Sequence, residues 1–247
     1  MFSKSPDAIY SPKNRFLWYL LCFQGGFVNI GGMLAVHHFV SHITGFAGLT
    51  AIAFFRANYI EVLLNLLIPV FFLFGSFVTG LFTEVRRQQG KAPVYVFSMI
   101  AIAFVFLTIA LLGPLNLLGN FGAPIEGVRD YGLLCLLSFA CGAQNALFTS
   151  ASAAIVRTTH LTGITTDLGI GLAKVFAGKY SAEDFAANRL RIAIIVNFLL
   201  GSFVGVYCFN HFHYSAFFIP AGLSLFIAHV LRRTRLLVSG EEGSRPL

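Results

Sequence analysis

Hydrophobic positions in this chain run in long unbroken blocks. They show neither the strict alternation of a half-buried strand nor the narrow apolar stripe of a soluble amphipathic helix. Six blocks are long enough to cross a bilayer: Phe16–Val36, Tyr59–Phe82, Val94–Gly113, Tyr131–Val156, Arg191–Phe209 and Ser215–Leu231. At about 1.5 Å per residue they suit a hydrocarbon core of about 30 Å, with some tilt. Two more apolar stretches, Thr44–Phe55 and Thr162–Phe176, are too short to cross, and each follows a polar segment containing histidine. They read as half-helices. The pattern therefore predicts an all-α membrane protein with six full transmembrane helices and two half-helices.

Composition agrees with this reading. Of 247 residues, 57% are hydrophobic and 11% charged, which excludes an ordinary soluble enzyme, a disordered chain and a disulfide-knotted module. The net charge of +7 does not point to nucleic acid, because the basic residues sit in short clusters at the ends of apolar blocks and form no solvated basic face. Those clusters set orientation instead. With the N-terminus inside and six alternating spans, Lys4, Lys13, Arg15, Arg86, Arg87, Lys91, Arg157, Lys174, Lys179, Arg189, Arg191, Arg232, Arg233, Arg235 and Arg245 lie inside. Only Arg56 and Arg129 lie outside. The expected plan is a multi-pass protein of a bacterial inner (plasma) membrane with both termini cytoplasmic and an uncleaved first helix. Its parts are a cytoplasmic segment 1–15, a first membrane repeat 16–113, an outer loop 114–130, a second membrane repeat 131–231 and a cytoplasmic tail 232–247. Cys22, Cys135, Cys141 and Cys208 lie inside apolar blocks without CxxC spacing and read as structural thiols.

The two halves echo each other. His42-Ile43-Thr44-Gly45 recurs as His160-Leu161-Thr162-Gly163, and Gly75-Ser76-Phe77-Val78 as Gly201-Ser202-Phe203-Val204. A Gln and an Asn precede each HxTG motif: Gln24 and Asn29, then Gln144 and Asn145. Each half reads as span, polar break, half-helix, span, span. Three spans is an odd number, so the second copy enters from the opposite side, giving two inverted-topology repeats. The half-helices would then dip in from opposite faces and meet near the midplane. The Gly-Ser-Phe-Val segments, with Gly80 and Gly205 beyond them, read as close-packing devices between helices.

The broken helices carry the candidate chemistry. Thr44, Gly45, Thr162 and Gly163 stand at their N-termini, where free N–H groups and the helix dipole favour an anion or a carboxylate. Asn29, Gln144 and Asn145 would add amide contacts to a bound solute. His42, His160 and Asp167 are the proton-coupling candidates, Asp167 being the one acid placed near membrane depth. His38 and His42 share a helical face at i, i+4, a spacing that can bind a metal, yet no carboxylate or Cys accompanies them and no metal site is expected. Neither a cofactor nor a catalytic residue is expected, since GxSxG, HExxH and phosphate-cradling loops are absent. The leading expectation is a small inverted-repeat transporter or channel for a small solute, an anion among the candidates. The rivals are a structural or regulatory membrane subunit that binds a partner protein, and a His-based membrane-embedded metalloenzyme. The expected partners are the lipid bilayer and a small-molecule or ionic solute, with no nucleic acid; a homo-oligomer is left open.

The chain also resembles the YoaK family, an uncharacterised group of bacterial inner-membrane proteins of about this length. The carriers are Phe27-Val28-Asn29 and His42-Ile43-Thr44-Gly45, then Gly142-Ala143-Gln144-Asn145-Ala146 and Thr158-Thr159-His160-Leu161-Thr162-Gly163, within roughly Phe16 to Leu231. The first motif departs from the family pattern, which usually has Asp where Asn29 stands and Asn where Phe46 stands. The resemblance implies a membrane architecture and carries no assigned chemistry.

Overall fold

The computed structural model describes residues 12–91, 94–125, 127–152 and 161–242, and among them all regular structure is helical. In chain order the helices are α1 (Pro12–Val36), α2 (Ile43–Phe55), α3 (Tyr59–Gly80), α4 (Tyr95–Leu112), α5 (Val128–Ala151), α6 (Leu161–Phe176), α7 (Ala182–Phe212) and α8 (Phe218–Glu242). Helix α3 runs on through a π-helical turn, Leu81–Val85, and one further turn, Arg86–Gln88.

Capping chemistry explains where the helices depart from the apolar blocks. Helix α7 starts at Ala182, more than two turns before the expected Arg191. There the Ser181 hydroxyl accepts from the Asp184 N–H (3.1 Å) and the Asp184 carboxylate accepts from the Ser181 N–H (3.0 Å). This capping box holds a polar first turn in helix that apolarity alone does not reveal. Asn58 starts α3 in the same manner, accepting from the Glu61 N–H at 3.3 Å. Helix α5 starts at Val128 and ends at Ala151, so it begins and ends earlier than the expected span; residues 153–156 of that span lie outside the described residues.

Five stretches are long and apolar enough to cross a membrane: Asn14–Val36, Tyr59–Gln88, Tyr95–Leu115, Val128–Ala151 and Ala182–Arg233. The last holds 52 residues and contains a break, the 3₁₀ turn His213–Phe217 between α7 and α8. Large apolar side chains cover the outer faces, among them Ile60, Leu63, Phe77, Leu199 and Phe203. Gln24, Ser98, Gln144, Asn145 and Ser224 lie buried inside. An apolar exterior around a partly polar interior suits a bilayer, and the fold is that of a multi-pass helical membrane protein.

Four helices form a row in the order α3, α5, α1, α7, while α4 packs on α8 and this pair lies against α5 and α1. The two outer interfaces of the row are built alike. At α3–α5, a Cβ on Gly75 would lie 2.1 Å from the Phe139 carbonyl oxygen, and one on Gly142 would lie 2.0 Å from that of Phe72. At α1–α7, a Cβ on Gly201 would lie 1.9 Å from the Phe23 carbonyl oxygen, and one on Gly26 would lie 1.9 Å from that of Phe198. The adjacent hydroxyls match too: Ser76 donates to the Gly142 carbonyl (3.0 Å) and Ser202 to that of Gly26 (3.3 Å). Only glycine lets the backbones approach this closely. Gly205 packs tightly as well, against Ile30 and Phe27, whereas nothing lies within 4 Å of a Cβ on Gly80, which is no packing device.

Contacts also give the helix directions. Helices α3 and α5 run parallel, since Asn65 meets Tyr131 near their starts and Glu84 and Arg87 meet Ser150 near their ends. Between α1 and α5, Trp18 meets Phe148 and Gln24 meets Gln144, so these two run antiparallel. Where α3, α4 and α5 converge, Arg87 donates to Glu84, to the Tyr95 hydroxyl (3.0 Å) and to the Ser150 carbonyl (3.0 Å).

Candidate functional site

Helix α1 ends at Val36 because His37 takes a left-handed conformation (φ 58°) and turns the chain back. Its ring nitrogen Nε2 lies 3.0 Å from the Gly122 carbonyl, and the Gly122 N–H donates to the Ala35 carbonyl at 2.9 Å, which ties the turn to the loop before α5. The segment then folds back along α1. A Cβ on Gly32 would lie 2.5 Å from Val40 Cγ1, and the Ser41 hydroxyl donates to Asn29 Oδ1 at 3.0 Å. Val40 is fully buried, and its carbonyl accepts from Ser138 at 3.4 Å. Asn29 lies two turns before the end of α1, so the chain returns about 10 Å along that helix before α2 begins.

Helix α2 thus starts about two turns back along α1, with His42 and Thr44 exposed. His42 occupies the N-cap position without a side-chain cap bond, and the Gly45 N–H donates to the His42 carbonyl at 3.0 Å. The His42 ring lies across the first turn, with Nδ1 2.9 Å from the place a Gly45 Cβ would take. A cleft of about 310 Å³ opens here, lined by His37, His38, His42, Gly45 and Phe46 among others. His38 stacks on Phe46 (centroids 5.9 Å apart), and Phe46 is buried. Phe46 thus forms an aromatic wall of the cleft. Thr44 is exposed.

The remaining predicted residues fall in two other places. Gln144 belongs to a buried polar node at the α1–α5 crossing. Gln24 Nε2 donates to Gln144 Oε1 (3.0 Å) and to Ser224 Oγ (3.0 Å), and Gln144 Nε2 donates to the Leu21 carbonyl (2.9 Å). Asn145 is buried one position further along α5. Ser224 was not singled out from sequence; its only signal there is a lone hydroxyl within the apolar run of α8. Thr162, Gly163 and Asp167 are exposed on α6, and nothing lies within 4 Å of a Cβ on Gly163. His160 lies outside the described residues.

The structure does not bring the two half-helices together. Helix α2 packs on α3 and α6 packs on α7, which puts them at opposite ends of the row. The physical reason is the direct packing of α1 on α5 through Trp18, Phe148 and the glutamine pair, which occupies the middle of the molecule. The expected equivalence of Gln24 with Gln144 also changes. Counted from the two close-packed glycines, Asn29 and Asn145 each stand three residues after Gly26 and Gly142, whereas Gln24 stands two before Gly26, where Ala140 stands before Gly142.

A family model described as a protein of unknown function, DUF1275, matches residues 17–230. The chain belongs to the DUF1275 family. The DUF1275 match takes in both HxTG motifs, both matched glycine interfaces and the glutamine node. No curated protein and no solved structure matches the chain. Among the described residues of this DUF1275 protein, no three His, Cys, Asp or Glu side chains are grouped to hold a metal ion. The four thiols are buried and free of disulfides.

Proposed function

We propose that this DUF1275 protein is a membrane transporter or channel for a small solute, with an anion as the chemistry its half-helix ends suit. On this reading six crossing segments and two half-helices form two inverted repeats, with both termini on the cytoplasmic side of a bacterial inner membrane. The HxTG motifs ally it with the YoaK group of the family. The repeat is supported by the two matched glycine interfaces and by the antiparallel run of α1 and α5, the first spans of the two halves. The orientation is supported by the Lys and Arg distribution.

The observation that carries the reading is the sunken segment His37–His42. It delivers the N-terminus of α2, with its free N–H groups, to an open cleft beside α1. Unwound backbone beside a half-helix end is how many transporters expose polar groups at depth. Three imidazoles border that cleft and supply ring nitrogens that can donate or accept a hydrogen bond. Asn29 and Ser41 brace the segment from behind.

Flux into proteoliposomes tests this, with a panel of inorganic anions and organic acids. Gly45→Leu would fill the cleft, and its nearest obstacle is the movable His42 ring, so the variant should insert and fold. The expected result is flux in the parent protein and none in Gly45→Leu. Equal flux in both would overturn the assignment of the site.

A further inference from the structure

A second cleft, of about 440 Å³, opens between the N-terminal parts of α1 and α7. Arg15 and Tyr19 reach it from α1, Arg189 and Asn197 from α7, and Ile192 and Val196 form its apolar wall. The two helices are parallel, as Phe23 meets Gly201 and Phe27 and Ile30 meet Gly205, so the cleft sits at the end where both begin.

Several other cations of the protein are engaged. Arg87 pairs with Glu84, Lys174 with Asp184, and Arg191 donates to Asn188. Arg15 and Arg189 have no ion pair or hydrogen bond among the described residues. Asp184, an acid in the first turn of α7, is already taken by Lys174 and Ser181. Two guanidinium groups opening on one cleft create a positive field with no internal counter-charge. Further along α7 the surface turns apolar: Ile192 and Val196 are 45% and 46% exposed, and Leu199, Leu200 and Phe203 continue the strip. Whatever fills this place is anionic at one end and long and apolar at the other.

We infer that this cleft binds an anionic phospholipid, with its phosphate on Arg15 and Arg189 and an acyl chain along Ile192, Val196 and the strip beyond. A guanidinium fork matches phosphate oxygens in pairs, and basic pockets between membrane helices recognise such headgroups. Setting orientation does not explain the arrangement, because a topogenic arginine serves from any face of its helix. Nor does helix packing. On the repeat reading, the register that matches Gly75 with Gly201 and Gly26 with Gly142 puts Leu63 in the place of Arg189 and Tyr131 in that of Arg15. The same interface forms there without a cation.

The test uses the full chain purified in mild detergent, with binding measured separately for phosphatidylglycerol, phosphatidylcholine and inorganic phosphate. The expected result is saturable binding of phosphatidylglycerol, at least tenfold weaker binding of phosphatidylcholine, and no competition by phosphate alone. Arg15→Gln with Arg189→Gln should weaken phosphatidylglycerol binding by about 25-fold, about fivefold per arginine. Arg232→Gln with Arg233→Gln, which removes equal charge from α8, should change it less than twofold. Equal binding of both lipids, competition by phosphate alone, or equal losses in the two double variants would overturn the inference. Should the cleft double variant aggregate, Arg189→Gln alone decides: its side chain is exposed and outside the core, and an unchanged affinity would count against the site.

Discussion

Replacing Gly201 by alanine puts a methyl group 1.9 Å from the Phe23 carbonyl oxygen and 2.7 Å from its carbon. Both atoms are backbone in mid-helix, so neither can swing aside. Carbon–oxygen contacts of this kind settle at about 3.3 Å or more, so α1 and α7 must separate by about 1.4 Å along that line. A gap of even about 0.5–1 Å forfeits a quarter to a half of each dispersion contact across the seam. Overpacking costs about 1–3 kcal/mol, and loss of a Cα–H···O contact adds about 0.5–1 kcal/mol, so the expected destabilisation is about 1.5–4 kcal/mol. Unfolding in mixed micelles by titration with a denaturing detergent measures it. The single tryptophan, Trp18, is fully buried 5.0 Å from Phe148 and reports the transition. The geometry makes a sharper claim through pairs. Gly26→Ala acts on the same seam, so Gly26→Ala and Gly201→Ala together should cost clearly less than their sum, because the first has already parted the helices. Gly75→Ala acts on the α3–α5 seam, and with Gly201→Ala it should add within about 0.5 kcal/mol. A cost below about 0.5 kcal/mol for Gly201→Ala, or strict additivity on one seam, would refute the close-contact account.

Two further outcomes follow from buried groups and open ones. Ser98 and Ser224 are both buried hydroxyls, but Ser224 bonds Gln24 and the Pro220 carbonyl, whereas Ser98 Oγ has no partner among the described residues. Ser224→Ala should cost about 1–2 kcal/mol, while Ser98→Ala should be neutral or stabilising, in the same unfolding assay; equal losses would contradict the hydrogen-bond account. Gly80→Ala and Gly163→Ala meet open space on helical backbone, so each should leave stability unchanged or raise it by up to about 1 kcal/mol, and loss of folding in either would show an unseen contact.

Much of the fold was legible because a bilayer leaves a chain few choices. Every backbone group in hydrocarbon must be bonded within its own helix, so an apolar block of the right length is a helix wherever it packs. That is why the starts of α2 and α3 and the end of α1 match the sequence reading to within a residue. The start of α7 was not legible from apolarity, because a Ser181–Asp184 cap and not hydrophobicity sets it. The candidate site was legible in part: the HxTG motif marked the broken segment, but nothing in it indicated that Phe46 would line the cleft or that Thr44 would face outward.

By itself, then, the sequence determined the helical segments, the break before α2 and the Gly-Ser-Phe-Val segment that recurs in the two halves. These depend on local polarity and on spacing along one chain. The tertiary structure decided what each glycine meets, since Gly75 and Gly80 look alike in sequence and differ only in whether a neighbouring carbonyl lies opposite. It also decided that Gln24 bonds both Gln144 and Ser224 across more than a hundred residues, and that α2 and α6 stand apart. Such relations belong to pairs of helices, and only the packing of one against another creates them.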